Sequence, residues 1–350
     1  MYEMELVNAC LKLLRDCFNV QPGEVVAITV DTEATMEVTD ATAQAAVILG
    51  AKPVVIKIPA ARGCGKAGDP DFPIATLVGA LNNVDVWVEY NYQWIFYSTV
   101  YDRVVAENKD LRYMCLVGAT PGMMMRNIGK VDVPLLGRFI RKVAALTEQT
   151  KHMRITTPAG MDLEFDNMPG RELGVADGIV NKGEVRMLPG QIGWAPKFDT
   201  INGVIVVDGT MSPAVNGRLD QPIKIFVEKG KVVQIEGGTS AAQFESWLKS
   251  FNDPNMYNVA HAGYGLGPFA QLSGDICEDE RVWGCSEWGF GNIGACLTIP
   301  DIPEGIPAAS HTDGICLNST VYLDGKLLFK DGEIVGPDDE TVEMARKLGK

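Results

Sequence analysis

Apolar positions along the first 150 residues alternate between two periods. Over residues 3–17, Leu6, Val7, Cys10, Leu11, Leu13, Leu14 and Cys17 recur at helical spacing. The run Glu24-Val-Val-Ala-Ile-Thr-Val30 that follows is short and continuously apolar, the pattern of a buried strand, and Thr42–Leu49 returns to the helical period. Pro53–Ile58, Val84–Val88 and Leu111–Val117 repeat the strand signal, each after a helix-compatible stretch. Strands that alternate with helices and are apolar on both faces predict a parallel sheet covered on both sides.

From about residue 151 the texture changes to short strands punctuated by Gly, Pro and Asp. Strands are expected at Met161–Phe165, Gly203–Val207, Ile223–Val227 and Val232–Ile235, with a helix over Ser240–Ser250. A hairpin is expected at Thr320–Phe329, turning at Asp324-Gly325, before a closing helix at Val342–Leu348. The predicted fold is an α/β N-terminal domain with a parallel sheet (residues 1–150), followed by a strand-rich α+β metal-binding domain (residues 151–350).

Alternating strands and helices raise the case for a dinucleotide-binding domain, and the first strand–helix turn decides it. A Rossmann turn needs Gly-x-Gly-x-x-Gly to admit a pyrophosphate. Here the turn reads Asp31-Thr-Glu-Ala-Thr-Met36, without glycine and with two acids that repel phosphate. Gly63-Cys-Gly-Lys66 lacks the Ser/Thr of a phosphate loop, since Ala67 follows. No nucleotide cofactor is expected. The net charge of −14, with no Lys/Arg run longer than two, likewise argues against nucleic-acid or membrane partners and for a small-molecule substrate. The segment Met1–Leu6 is acidic and amphipathic, unlike a secretion signal, and no apolar run approaches the roughly 18 residues of a membrane span. The eight cysteines form no C-x-x-C pair and read as reduced, mostly buried thiols, so a cytoplasmic location is expected.

Histidine is scarce, at His152, His261 and His311. In an extended strand His311 and Asp313, two apart, point to the same face. A His-x-Asp pair plus a distant His is the two-histidine, one-carboxylate set that leaves open positions on a non-haem Fe(II). His261 lies in Ala260-His-Ala-Gly-Tyr-Gly-Leu-Gly267, whose glycines allow a backbone to approach a bound ion or ligand. A blander reading is equally open on the residues alone. Isolated histidines are often structural, the glycine clusters at 263–267 and 289–294 are commonly turns or bulges, and the aromatics Tyr90, Tyr92, Trp94, Phe96 and Tyr97 suit core and edge packing.

Several blocks resemble one superfamily in their order and spacing. They are Leu188–Pro196, Thr200–Gly209, the His261 segment, Glu287–Gly294, Ser310–Gly314 and Val321–Gly325. That superfamily joins the aminopeptidase S/T-type metallopeptidases with the 2,5-dihydroxypyridine 5,6-dioxygenases. The resemblance covers residues 150–335, with the first 150 agreeing in α/β texture. In the peptidase branch, metal-binding Glu, Glu and His occupy the positions held here by Gln191, His261 and Asn292. A dinuclear centre would thereby lose most of its anionic ligands. The resemblance to the dioxygenase branch implies one metal on His261, His311 and Asp313, with Asn292 as a weak fourth ligand or outer donor.

What this resemblance implies is a mononuclear Fe(II) dioxygenase that cleaves a small hydroxylated aromatic ring, in a cytoplasmic homo-oligomer. Gln191 and Trp194 are candidate pocket residues, as are Tyr92 and Trp94. The alternative is a Zn(II)- or Mn(II)-dependent hydrolase of a small amide, ester or peptide on the same ligands. Its general base would come from Glu278, Glu280 and Glu287, none of which the sequence singles out. A third reading is a small-molecule binding protein built on the α/β half.

Overall fold

The computed structural model describes residues 3–293, 299–302 and 305–350. The chain divides into two compact units, one of residues 1–137 with 178–189, the other of residues 138–177 with 190–350.

The first unit carries a five-stranded sheet, every pairing parallel, in the order Lys52–Ile58, Val25–Asp31, Val86–Glu89, Arg112–Cys115, Val185–Met187. The central strands are buried along nearly their whole length. Helices Glu3–Lys12, Met36–Ile48, Ile74–Leu81 and Thr99–Glu107 accompany them. Two features depart from the sequence pattern. The fifth strand comes from residues 185–187, where three residues are too few to show a period. The first-listed edge strand is half open to solvent, with Val54 and Val55 exposed, because an edge strand has a neighbour on one side alone. The acidic turn after Val25–Asp31 is held by its own acid: Asp31 accepts the backbone N–H groups of Glu33, Ala34 and Gln93 at 3.0, 2.9 and 2.7 Å.

The second unit stacks two antiparallel sheets. One has eight strands, from Lys231–Glu236 at one edge through Asp162–Asp166 and His152–Thr156 to the hairpin Thr320–Leu323 and Lys326–Lys330 and the short Glu333–Ile334. The hairpin turns at Asp324 and Gly325, both at positive φ, as an Asp-Gly turn requires. The other sheet has seven strands, ordered Val215–Arg218, Thr210–Ser212, His311–Cys316, Ser286–Gly291, Val259–Gly265, Gln191–Trp194, Gly174–Ala176. Between the sheets lies an aromatic layer. Trp288 meets Phe165 edge-on at 5.5 Å, Trp194 meets Tyr264 at 4.9 Å, and Tyr264 meets Phe329 at 5.7 Å. Burying each such ring contributes about 1.5–3 kcal/mol, and edge-to-face geometry adds to it.

The glycine clusters at 263–265 and 289–291 are therefore strand, not turn. Ser-Glu-Trp-Gly-Phe-Gly alternates large and small, with Trp288 and Phe290 in the core and the glycines on the opposite face. Among the described residues, seven cysteines form no disulfide and six of them are buried, while Cys296 lies outside the described residues, as does Gly294. Among the described residues, no helix is long and apolar enough to cross a membrane.

Glu89, at the carboxyl end of its strand, is fully buried and accepts hydrogen bonds from the Tyr113 hydroxyl and the Ile95 N–H. Burial outweighs these bonds and pushes its carboxyl up to about 7. A raised folded-state value means the stability is fully present below about pH 4.3 and is lost as pH rises through about 7. The expected outcome is that stability falls by about 1–3 kcal/mol across that window. In Glu89→Gln, whatever its absolute stability, this slope disappears. Chemical denaturation at several pH values checks it, and an unchanged slope in the variant contradicts the assignment.

Candidate metal centre

The register of three neighbouring strands brings the three donors together. Gly289 pairs with His261 on one side and with Asp313 on the other, so those three residues form one row across the sheet. His311 stands two residues before Asp313 on the same face, opposite Gly291. The central position of the row has to be glycine. A Cβ on Gly289 would lie 2.3 Å from His261 Nε2, so the imidazole reaches Asp313 across a position that carries no side chain.

The donor atoms make a nearly equilateral triangle. His261 Nε2 is 3.1 Å from His311 Nε2 and 3.1 Å from Asp313 Oδ1, and His311 Nε2 is 2.9 Å from that oxygen. Donors held about 2.1 Å from one ion at right angles stand about 3.0 Å apart, whereas tetrahedral donors at that bond length stand about 3.4 Å apart. The triangle matches one face of an octahedron.

Protonation supports the same reading. His311 Nδ1 is 2.7 Å from the carbonyl oxygen of Asn292, and a carbonyl can only accept, so Nδ1 carries the proton. In the neutral ring Nε2 then turns its lone pair toward Asp313 and His261, an arrangement that calls for a cation between them. Burial disfavours charge on His311, but the Asp313 carboxylate outweighs it and raises the imidazole above its ordinary value. Asp313 is the mirror case. Burial opposes its charge, yet the two histidines hold it well below the carboxylate range. The residues present therefore fit a divalent metal.

Two more carboxylates stand beside this triangle. Oxygens of Glu280, Glu287 and Asp313 lie within 4.8 Å of one another. Glu280 pairs with the fully buried guanidinium of Arg281, and Glu287 accepts a hydrogen bond from the side-chain amide of Gln191. Burial first, then the neighbouring carboxylate (Glu287 for Glu280, Asp313 for Glu287), pushes both carboxyls above their usual range. Sequence could not separate these two from Glu278. The structure does, because Glu278 accepts the Gln271 N–H at 3.2 Å and joins neither donor group.

The other candidates fall as follows. Asn292 contributes its backbone carbonyl to His311, while its side-chain amide donates to Ala308 O at 3.2 Å. Gln191 is on the site face, where it pairs with Gly265. Trp194 is not a pocket wall. Three residues along a strand from Gln191 it points to the opposite face, into the aromatic core, where its Nε1 donates to Asn167 Oδ1 at 3.0 Å. Tyr92, exposed, and Trp94, partly buried, follow Val86–Glu89 in the first unit, whereas all the donors belong to the second.

Comparisons with known proteins bear on the chain's family and fold. Residues 5–336 match the family model of 2,5-dihydroxypyridine 5,6-dioxygenase, NicX. A 2,5-dihydroxypyridine 5,6-dioxygenase of Pseudomonas putida is 29% identical over 155 residues, which are 41% of this chain and 42% of that relative, so the match spans under half its length. The solved structure of 2,5-dihydroxypyridine dioxygenase from Pseudomonas putida has a TM-score of 0.78 at 21% identity, covering 97% of this chain and 99% of that one. Wild-type AmpT from Thermus thermophilus gives 0.70 at 14% identity, covering 96% and 100%. These two likenesses establish the fold.

Gly289→Ala is expected to displace His261 and weaken metal binding by about 10- to 100-fold, the range typical of disturbed ligand supports. Gly193→Ala lies on the same face, but its added Cβ would meet nothing closer than Ala262 O at 3.7 Å, so binding there should be unchanged. Metal content after dialysis, with circular dichroism to check folding, distinguishes the two. Equal retention in both variants contradicts the site.

Proposed function

Since the chain belongs to the 2,5-dihydroxypyridine 5,6-dioxygenase family, we propose that it is a mononuclear non-haem Fe(II) enzyme that opens the ring of a small hydroxylated N-heteroaromatic such as 2,5-dihydroxypyridine. Both atoms of one dioxygen enter the product, so no external reductant is consumed. The observation that carries this reading is the triangle of His261 Nε2, His311 Nε2 and Asp313 Oδ1 with edges of 2.9–3.1 Å.

His261, His311 and Asp313 would hold the iron. When bound there, Fe(II) supplies the oxygen chemistry and the open positions for substrate and dioxygen. The protein's part is placement. Asn292 O fixes the tautomer and tilt of His311, which keeps Nε2 free as a donor atom. Asp313 supplies one negative charge, leaving a net +1 on a divalent ion. The three donors gather on one face of the sheet, over strands whose glycines would leave room there for a flat ring. Behind them, Trp288, Phe290 and Tyr264 exclude water from the back of the site.

A hydrolase on the same ligands finds support in the nearby Glu280 and Glu287, either of which could act as a base. The dioxygenase reading is preferred because the family model that matches residues 5–336 is that of a dioxygenase.

Protein purified without oxygen or chelator is expected to hold about one iron per chain and to consume about one dioxygen per 2,5-dihydroxypyridine opened. His311→Ala should lose the iron and at least about 100-fold in rate. Zinc in place of iron, with no oxygen uptake after iron reconstitution, would overturn the proposal.

A further inference from the structure

We propose that Glu287 contacts the substrate directly, accepting a hydrogen bond from the N–H or hydroxyl of the heteroaromatic ring, and that Gln191 positions it. The inference rests on the ring-substrate reading above and adds to it the group that selects for a ring bearing a donor.

Placement comes first. Glu287 points to the same face of the sheet as His261 and Asp313, two residues before Gly289, and pairs across the sheet with Gly263. A Cβ on Gly263 would come 2.6 Å from Glu287 Oε2, so this second glycine makes room for the carboxylate as Gly289 does for the imidazole. The carboxylate stands within 4.8 Å of an Asp313 oxygen yet outside the group formed by His261, His311 and Asp313. It therefore stands beside the triangle, where a group bound to those three donors would come within its reach.

Unsatisfied capacity is the second observation. Gln191 Nε2 donates to Oε2, while Oε1 accepts no hydrogen bond among the described residues, although Glu287 is 2% exposed. That oxygen keeps open acceptor capacity that a bound N–H or O–H can fill. Glu280 differs, because the Arg281 guanidinium already neutralises it. Charge leads to the same residue. A divalent ion with Asp313 leaves +1, Glu280 cancels with Arg281, and Glu287 supplies the balancing charge beside the ring. Its free oxygen then suits the N–H of a lactam or a ring hydroxyl, and an aromatic lacking that donor would leave it unpaired.

The test is anaerobic titration of the iron-loaded full chain with 2,5-dihydroxypyridine and with 3-hydroxypyridine, which lacks the 2-oxygen and with it both the lactam N–H and the 2-hydroxyl that Glu287 would accept from. Wild type, Glu287→Gln, Glu287→Leu and Gln191→Leu are compared, with iron content measured in parallel. All four are expected to keep their iron. Glu287→Leu should bind 2,5-dihydroxypyridine about 10- to 100-fold more weakly, the loss expected for a charge-assisted hydrogen bond, with 3-hydroxypyridine little affected. Gln191→Leu should fall between, and the near-isosteric Glu287→Gln should lose several-fold, which preserves the test if the leucine variant does not fold. Undiminished dihydroxypyridine binding in the Glu287 variants overturns the proposal. So does loss of iron in Glu287→Gln, which would make Glu287 a ligand. If wild type itself binds neither ring, the ring-substrate reading fails, a pattern distinct from both.

Discussion

Three electron-pair donors turned toward one point repel one another unless a cation sits between them, and the second unit is built to impose that arrangement. His311 cannot relieve it by changing tautomer, because Asn292 O holds the Nδ1 proton. His261 has little room to retreat over Gly289, and Asp313 is fixed in the same row of the sheet. The counterforce is the aromatic layer on the other side of those strands, where Trp288, Phe290, Tyr264 and Trp194 are locked between two sheets. One alternation in sequence thus serves both ends, with large residues anchoring the strands and glycines clearing the face above them.

Much of this was legible in the chain. The parity of His311 and Asp313 needs nothing beyond strand geometry, and the resemblance of the motif blocks added His261. The strands at 25–31, 52–58, 162–166, 202–207 and 223–228 fall where apolar runs predicted them. What escaped has identifiable causes. Glycines at 263, 265, 289 and 291 read as turns because glycine usually signals one, though the Trp-Gly-Phe-Gly alternation carried the strand period. Trp194 was misplaced by judging proximity to Gln191 along the chain instead of parity along the strand. Glu280 and Glu287 could not be told from Glu278, since Glu287 is placed by register with a strand more than twenty residues later and Glu280 by the end of the short helix Ile276–Asp279.

Negative charge is distributed unevenly around the candidate centre. Gln191 and His261 stand where the resemblance to the peptidase branch implies carboxylates, yet the candidate site is not poor in them, because Glu280 and Glu287 lie beside Asp313. Their partners decide their roles. Arg281 neutralises one, and the neutral amide of Gln191 holds the other without cancelling it. In the one-metal reading proposed above, Gln191 would orient a charge rather than bind an ion.

X-ray absorption at the iron edge of the anaerobically reconstituted protein probes the central claim most directly. One iron per chain is predicted, with two imidazole nitrogens and one carboxylate oxygen at about 2.1 Å and the remaining positions filled by exchangeable light atoms. An iron–iron vector, or a shell that loses a carboxylate in Glu280→Gln or Glu287→Gln, would contradict it.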